Sequence, residues 1–180
     1  MNHIDHVRLI KKAIKKNVIL REIEEWADFG SGWGAFTLAL ADVGKDNIEI
    51  FSIDKSKSSL DEQSRNFSKQ FPNTKINFIP ADFIADLQLP LLDGILMANS
   101  LHYVKDQLNF LNSLKKYLKE NGKIVIVEYN LDKSNPWVPY PVNFEKFENL
   151  ANIAGFKNPI LLERIPLEWG NEMFSAMALK

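Results

Sequence analysis

Segments with the two-residue rhythm of strands alternate along this chain with segments of helical rhythm, and that alternation constrains the fold most. In WADFGSGWGAFTLALADVG a short apolar stretch meets a glycine-rich turn and then an Ala/Leu segment ending at Gly44: strand, tight loop, helix. NIEIFSI is apolar and β-branched, ends on Asp54, and precedes SKSSLDEQSRNFSKQF, a serine-capped helical stretch stopped by Pro72. KINFIPADF reads as a third strand ending near Asp82, and DGILMANS as a fourth, buried one. Lys105 to Leu118 places Leu108, Leu111, Leu114 and Leu118 on one stripe, with Gly122 as the expected C-terminal cap before the strand KIVIVEY. Prolines 136, 139 and 141 exclude helix and central strand from LDKSNPWVPYPV, an ordered surface loop ahead of a helix from Asn143 to Ala154. PILLERIP and MFSAMALK are joined only by LEWGNE, too short for a parallel crossover, so they form an antiparallel hairpin.

The expected fold is therefore a doubly wound α/β domain. Its seven-stranded, mostly parallel sheet is closed by a C-terminal antiparallel hairpin and carries helices on both faces. At 180 residues, 46% of them apolar, the chain has core enough for one such domain and not for two, so residues 1–180 are expected to form a single domain.

The absence of cysteine excludes disulfides, thiolate zinc sites and cysteine nucleophiles. Twenty-two basic residues against 23 acidic ones argue against a polyanion-coating protein. No segment approaches the roughly 20 apolar residues of a membrane span, and the first residues lack a signal-peptide pattern, so a cytoplasmic protein without membrane contact is expected. Ile4, Val7, Ile10 and Ile14 lie at helical spacing, with Arg8, Lys11, Lys12, Lys15 and Lys16 on the other face. They give a helix over residues 1–20 whose basic face is read as solvated. His3 and His6 stand three apart with no evident carboxylate partner, and no metal site is expected.

In such a sheet, ligands bind beyond the carboxyl ends of the strands, at the switch point beside the first strand. Asp28, Gly30, Ser31, Gly32 and Gly34 fall on the first strand-to-helix turn; Asp54 ends the second strand, Asp82 follows the third, and Asn99 and Ser100 end the fourth. Gly30, Gly32 and Ala35 also satisfy a dinucleotide fingerprint, with Asp54 about 20 residues on for a ribose, so the glycines alone leave a nicotinamide cofactor open. Asp28 favours another ligand, because a carboxylate there repels a pyrophosphate and suits a cation. S-adenosylmethionine is cationic and carries no phosphate. Bare glycine amides could receive its carboxylate, and Asp54 could accept both ribose hydroxyls.

From Glu22 to Lys180 the chain resembles the class I S-adenosylmethionine-dependent methyltransferase family. The resemblance rests on the ordered set DFGSGWG, IFSIDKS, FIPADF, ILMANSLHYV, the following helix, GKIVIVEYN and the closing hairpin. It implies that Asp28 and the loop of Gly30, Ser31, Gly32 and Gly34 hold the methionine portion of the cofactor and Asp54 the ribose, with the adjoining Lys55 a further cofactor-binding candidate. Asp82 and Phe83 would hold the adenine, and Asn99, Ser100 and His102 would line the floor near the transferred methyl. The chain departs from the family at its first strand, which reads EEWADFG rather than an aliphatic run. Trp33 is a secondary candidate for shielding the cofactor. A hydroxyl acceptor would profit from His102 or Tyr140 as a proton acceptor, and an orienting role for His102 stands beside that one. The segments long enough for a lid are the N-terminal helix and the loop Asn135 to Val142 with Trp137 and Tyr140.

The residues MANSLHYV lack an NPPY-type motif, which disfavours methylation of base or amide nitrogens. The resemblance thus implies methyl transfer from S-adenosylmethionine to a small-molecule acceptor at N, O or C, with RNA a less favoured acceptor and nucleic-acid partners not expected. A nicotinamide-dependent oxidoreductase and a methyltransferase-like binding protein without turnover are the alternatives, and oligomeric state is left open.

Overall fold

The structure is a computed structural model and describes residues 1–14, 23–168 and 170–180. Its strands are β1 (Glu24–Phe29), β2 (Ile48–Asp54), β3 (Lys75–Pro80), β4 (Leu92–Ala98), β5 (Leu118–Tyr129), β6 (Lys157–Pro166) and β7 (Glu172–Leu179). They form one sheet in the order β3-β2-β1-β4-β5-β7-β6. The first five run parallel, and β7 inserts antiparallel between β5 and β6. The doubly wound sheet with its antiparallel hairpin is thus the architecture found. The helices are α1 (His3–Ile10), α2 (Ala35–Gly44), α3 (Lys57–Gln70), α4 (Gln107–Leu114) and α5 (Phe144–Ile153).

Both faces of the sheet are covered, and the central strands show why their sequences run apolar without a break. Ile95 and Met97 of β4 and Ile124 and Ile126 of β5 face a core shared with Leu111 and Leu114 of α4 and with Phe147 of α5. The alternate residues Leu96, Val125 and Val127 join Leu9 of α1, Phe36 and Leu40 of α2 and Phe67 of α3 in a second core. The departure at β1 has a packing reason. Trp26 is 1% exposed and pairs with Gly94 on β4, where a Cβ would lie 2.5 Å from the indole.

Two expected boundaries move. The helix expected to Leu118 ends at Leu114 with one 3-10 turn, Lys115–Tyr117, because Leu118 is already paired with Leu92 in the sheet. Gly122 is consequently inside β5 rather than a helix cap, and the left-handed residue of the irregular stretch there is Asn121 (φ 62°). The N-terminal helix ends at Ile10, and residues 15–22, with Lys15 and Lys16, lie outside the described residues. Its basic face is only partly solvated, since Arg8 and Lys12 both reach Glu163 (3.4 and 3.3 Å). His3 does have a carboxylate partner, Asp42, at 3.2 Å, and the His6 ring packs on Phe36. Leu9 and Ile10 dock α1 onto the sheet, where Ser175 Oγ donates to Leu9 O (2.6 Å). No helix among the described residues is long and apolar enough to cross a membrane.

Candidate functional site

The turn from β1 into α2 is shaped by close approach and by unusual dihedrals. Gly30 (φ 78°) lies so near β4's end that a Cβ would sit 2.7 Å from Ser100 Cβ, and Ser100 Oγ donates to Phe29 O (2.6 Å). Gly32 (φ 54°) faces open space on the side where a Cβ would project. The loop amides are not bare. Gly30 N and Ser31 N donate to Ile53 O (2.9 and 3.0 Å), Gly34 N donates to Ser31 O (2.9 Å), and Gly32 N donates to Asp54 Oδ2 (2.8 Å). The expectation that these amides receive a ligand carboxylate is therefore corrected. The first turn of α2, whose N-cap Gly34 has no side chain, is the local source of unpaired N–H groups.

Asp28, one residue before the end of β1, is 1% exposed. Its Oδ2 accepts from Thr37 Oγ1 (2.7 Å), while Oδ1 is buried without a partner. Burial pushes this carboxyl up to about 7; the Thr37 hydroxyl opposes the rise and the nearby Asp54 carboxylate adds to it. The other buried, unpartnered oxygen among the described residues is Asn99 Oδ1, on a residue held left-handed (φ 52°) at the end of β4. Asp54 caps the glycine loop and its own turn together, since Oδ1 accepts from Ser56 N (2.8 Å). Each oxygen keeps a further lone-pair site.

These strand ends enclose a cleft of about 580 Å³ lined by Gly30, Asp54, Lys55, Asp82, Phe83, Ile84, Asn99, Ser100 and Tyr103, a volume within the usual range for small-molecule sites. It brings together seven of the residues singled out from sequence. Asp28, Ser31, Gly32 and Gly34 stand behind or beside it rather than on its lining. Asp82 also accepts from Ile84 N (3.0 Å), so it stiffens the turn that carries Phe83 and Ile84. Ile84 and Tyr103, each 56% exposed, were missed, although both directly follow residues of the DF and SLH segments. None of residues 1–14 lines the cleft, so the described part of the N-terminal helix does not cover it.

His102 is 2% exposed and does not line the cleft. Its Nδ1 is 2.6 Å from Glu128 Oε2, its backbone N–H donates to Glu128 Oε1 (3.2 Å), and the Tyr103 ring covers it at 4.3 Å. Burial pushes the Glu128 carboxyl up, and the bonds to His102 oppose this. Tyr140 lies in a second cavity of about 510 Å³ with Asp132, Asn143 and Lys146. His102 lines neither cavity, but its carbonyl accepts from Tyr140 N (3.0 Å), which ties the loop beside the second cavity to the end of β4. Trp33 and Trp137 are 67% and 77% exposed.

A family model described as a methyltransferase domain matches residues 24–163. No curated protein sequence matches the chain. Among solved structures, a SAM-dependent methyltransferase from Aquifex aeolicus superposes with a TM-score of 0.70 at 17% identity, covering 99% of this chain and 98% of that one. The Burkholderia thailandensis 1,6-didemethyltoxoflavin-N1-methyltransferase, solved with 1,6-didemethyltoxoflavin and S-adenosylhomocysteine bound, gives 0.75 at 17% identity over 97% of this chain and 78% of that one. The DszA carbon methyltransferase gives 0.72 at 20% identity over 94% of this chain, which spans only 50% of that longer one. At these identities the superpositions bear on the fold.

Proposed function

The chain belongs to the class I S-adenosylmethionine-dependent methyltransferase family, and from that premise we propose that residues 1–180 act as one catalytic domain transferring a methyl group from S-adenosylmethionine to a small-molecule acceptor. The observation that carries the proposal is the buried Asp28 oxygen left without a partner beside the glycine loop. A buried carboxyl oxygen without a partner calls for a donor or a cation beside it, and a pyrophosphate there would be repelled. The residues present therefore fit the methionine ammonium, with Asn99 Oδ1 as a second acceptor. Asp54 would take the ribose hydroxyls on its remaining lone pairs, with Lys55 at the rim, and Phe83 and Ile84 would give the adenine an apolar wall.

When bound, S-adenosylmethionine supplies an electrophilic methyl carbon on a sulfonium that departs as a neutral thioether. The chain's own residues then need to exclude water and remove a proton. The contact of Nδ1 with Glu128 Oε2 fixes the orientation of the His102 ring and leaves Nε2 as the ring nitrogen that could accept a proton. Nε2 has no partner among the described residues and is not one of the sealed, unpartnered atoms. It would take the acceptor's proton as the acceptor's electron pair forms the new bond to carbon. A base of this kind suits a hydroxyl or carbon acid better than an amine, which attacks once already deprotonated. Tyr140 and the loop Asn135 to Val142 adjoin His102 from the second cavity and would close on the acceptor.

Calorimetric titration with S-adenosylhomocysteine, NADH and NADPH tests the reading. Binding of the first and neither of the others is expected; a preference for a nicotinamide cofactor would overturn it. Methyl transfer in a screen of hydroxyl and carbon-acid acceptors then separates an enzyme from a binding protein.

A further inference from the structure

Gln63 is the feature of this site that the cofactor reading does not use. It projects from α3, a helix polar almost throughout, yet it is 3% exposed. Its Nε2 donates to Gly32 O (2.6 Å) and Ser31 Oγ (2.9 Å), and its Oε1 accepts from Ser52 Oγ (2.9 Å). Ser52 is itself fully buried on β2 and reaches Ser31 Oγ at 2.8 Å. The stem of Gln63 fills the space beside Gly34, where a Cβ would lie 2.6 Å from Gln63 Cγ.

The arrangement fixes Gly32 from both ends. Its N–H is held by Asp54 from the end of β2, and its carbonyl by Gln63 from α3. Gly32 has a left-handed backbone with open space beside it, a conformation that does not hold itself. A side-chain amide can donate two N–H bonds, here to a carbonyl and a hydroxyl, while its oxygen accepts from a second hydroxyl. A buried amide with all these bonds made is rigid, and it would be costly to leave half made.

We propose that Gln63 is a positioning residue for the cofactor's amino-acid portion, holding the Ser31–Gly32 turn in the one shape that accepts it. The inference rests on the methyltransferase reading and refines it. Gln63 does not line the cleft. It locks the loop against β2, so that the ribose-binding end at Asp54 and the methionine-binding end of the site keep a fixed spacing.

Two ligands separate this role from general stability. S-adenosylhomocysteine carries the amino-acid portion, and 5′-methylthioadenosine has the adenosine and thioether without it. In Gln63→Leu, S-adenosylhomocysteine affinity is expected to fall about tenfold or more, as for a site loosened by a fraction of an ångström, while 5′-methylthioadenosine affinity stays within about twofold. Gln63→Glu, equal in size but unable to donate to Gly32 O, should lose the same selectivity. Ser52→Ala, which keeps both Nε2 bonds, should retain most of it and keeps the test available if Gln63→Leu fails to fold. Calorimetry with both ligands, alongside melting temperatures, reads the ratio of the two affinities. An unchanged ratio in Gln63→Glu or Gln63→Leu overturns the proposal, as does retained selectivity in Gln63→Glu together with lost selectivity in Ser52→Ala. If the wild type does not bind S-adenosylhomocysteine, the methyltransferase reading falls and the positioning role falls with it; if it binds and the ratio is unmoved by substitution, only the positioning role falls.

Discussion

Replacing Asp28 by asparagine should make the ligand-free protein more stable at alkaline pH and worse at binding its cofactor. The carboxyl ordinarily titrates at 3.8 and is pushed up to about 7 in the fold, chiefly by burial. Between these values the folded chain keeps a proton that the unfolded chain has lost. Stability from this group is therefore complete below about pH 4, declines as pH rises, and is gone above about 7, a total of about 4 kcal/mol by linkage. Asparagine keeps the acceptor for Thr37 and removes the charge, but it leaves an amide donor to satisfy, at a cost of about 1 to 3 kcal/mol. The net gain at pH 8 is then about 1 to 3 kcal/mol, a rise in melting temperature of about 2 to 12 °C for a chain of this size. At pH 4 the wild-type carboxyl is neutral, so the variant should melt at or below it. Differential scanning calorimetry across pH 4 to 8 would show the two melting curves crossing, and titration with S-adenosylhomocysteine at pH 8 would show weaker binding by the variant. Parallel melting profiles in wild type and variant, or unaltered affinity, would refute the reasoning.

Three further outcomes follow from the packing. Glu128→Ala should cost about 1 to 3 kcal/mol for each buried His102 group it leaves without a partner, read in denaturant unfolding, whereas the near-isosteric Glu128→Gln should spare more of the stability and still lower methyl transfer without changing S-adenosylhomocysteine affinity. Gly94→Ala drives a methyl into the Trp26 indole and should lower stability by about 1 to 3 kcal/mol in the same assay, with no specific effect on ligand affinity. Gly32→Ala meets no atom but must hold a left-handed backbone, so a loss of about 1 to 2 kcal/mol in stability is expected, together with a larger proportional loss of S-adenosylhomocysteine affinity measured by calorimetry.

The parts of this molecule legible in its sequence are those dictated by local rhythm. The unbroken apolar run of β4, the serine cap of α3 and the glycines at the end of β1 each act over a few residues, and the antiparallel pairing of β6 with β7 follows from the length of their connection. What escaped reading depends on partners distant in the chain. Nothing in Lys105 to Leu118 announces that Leu118 will leave the helical stripe to pair with Leu92. Glu128 sits in a strand that reads as apolar, and its meaning appears only when β5 sets it beside His102, 26 residues earlier. The glycine loop's amides looked available because the residues that consume them, Ile53 and Asp54, belong to the next strand. Tyr103 and Ile84 carried no signal beyond adjacency to the marked residues.

The hydrogen bond from Ser100 to Phe29 spans 71 residues, and that separation bears on how the site comes into being. Closing so long a segment costs chain entropy before any contact rewards it. A chain that has built β1, β2 and β3 with their helices holds Asp28, the glycine loop, Asp54 and Asp82, but it lacks the wall supplied by the end of β4. The cleft is thus complete only when β4 is docked against β1. A molecule that binds there needs β4 in place, and its binding free energy is added to the docking of β4 against β1.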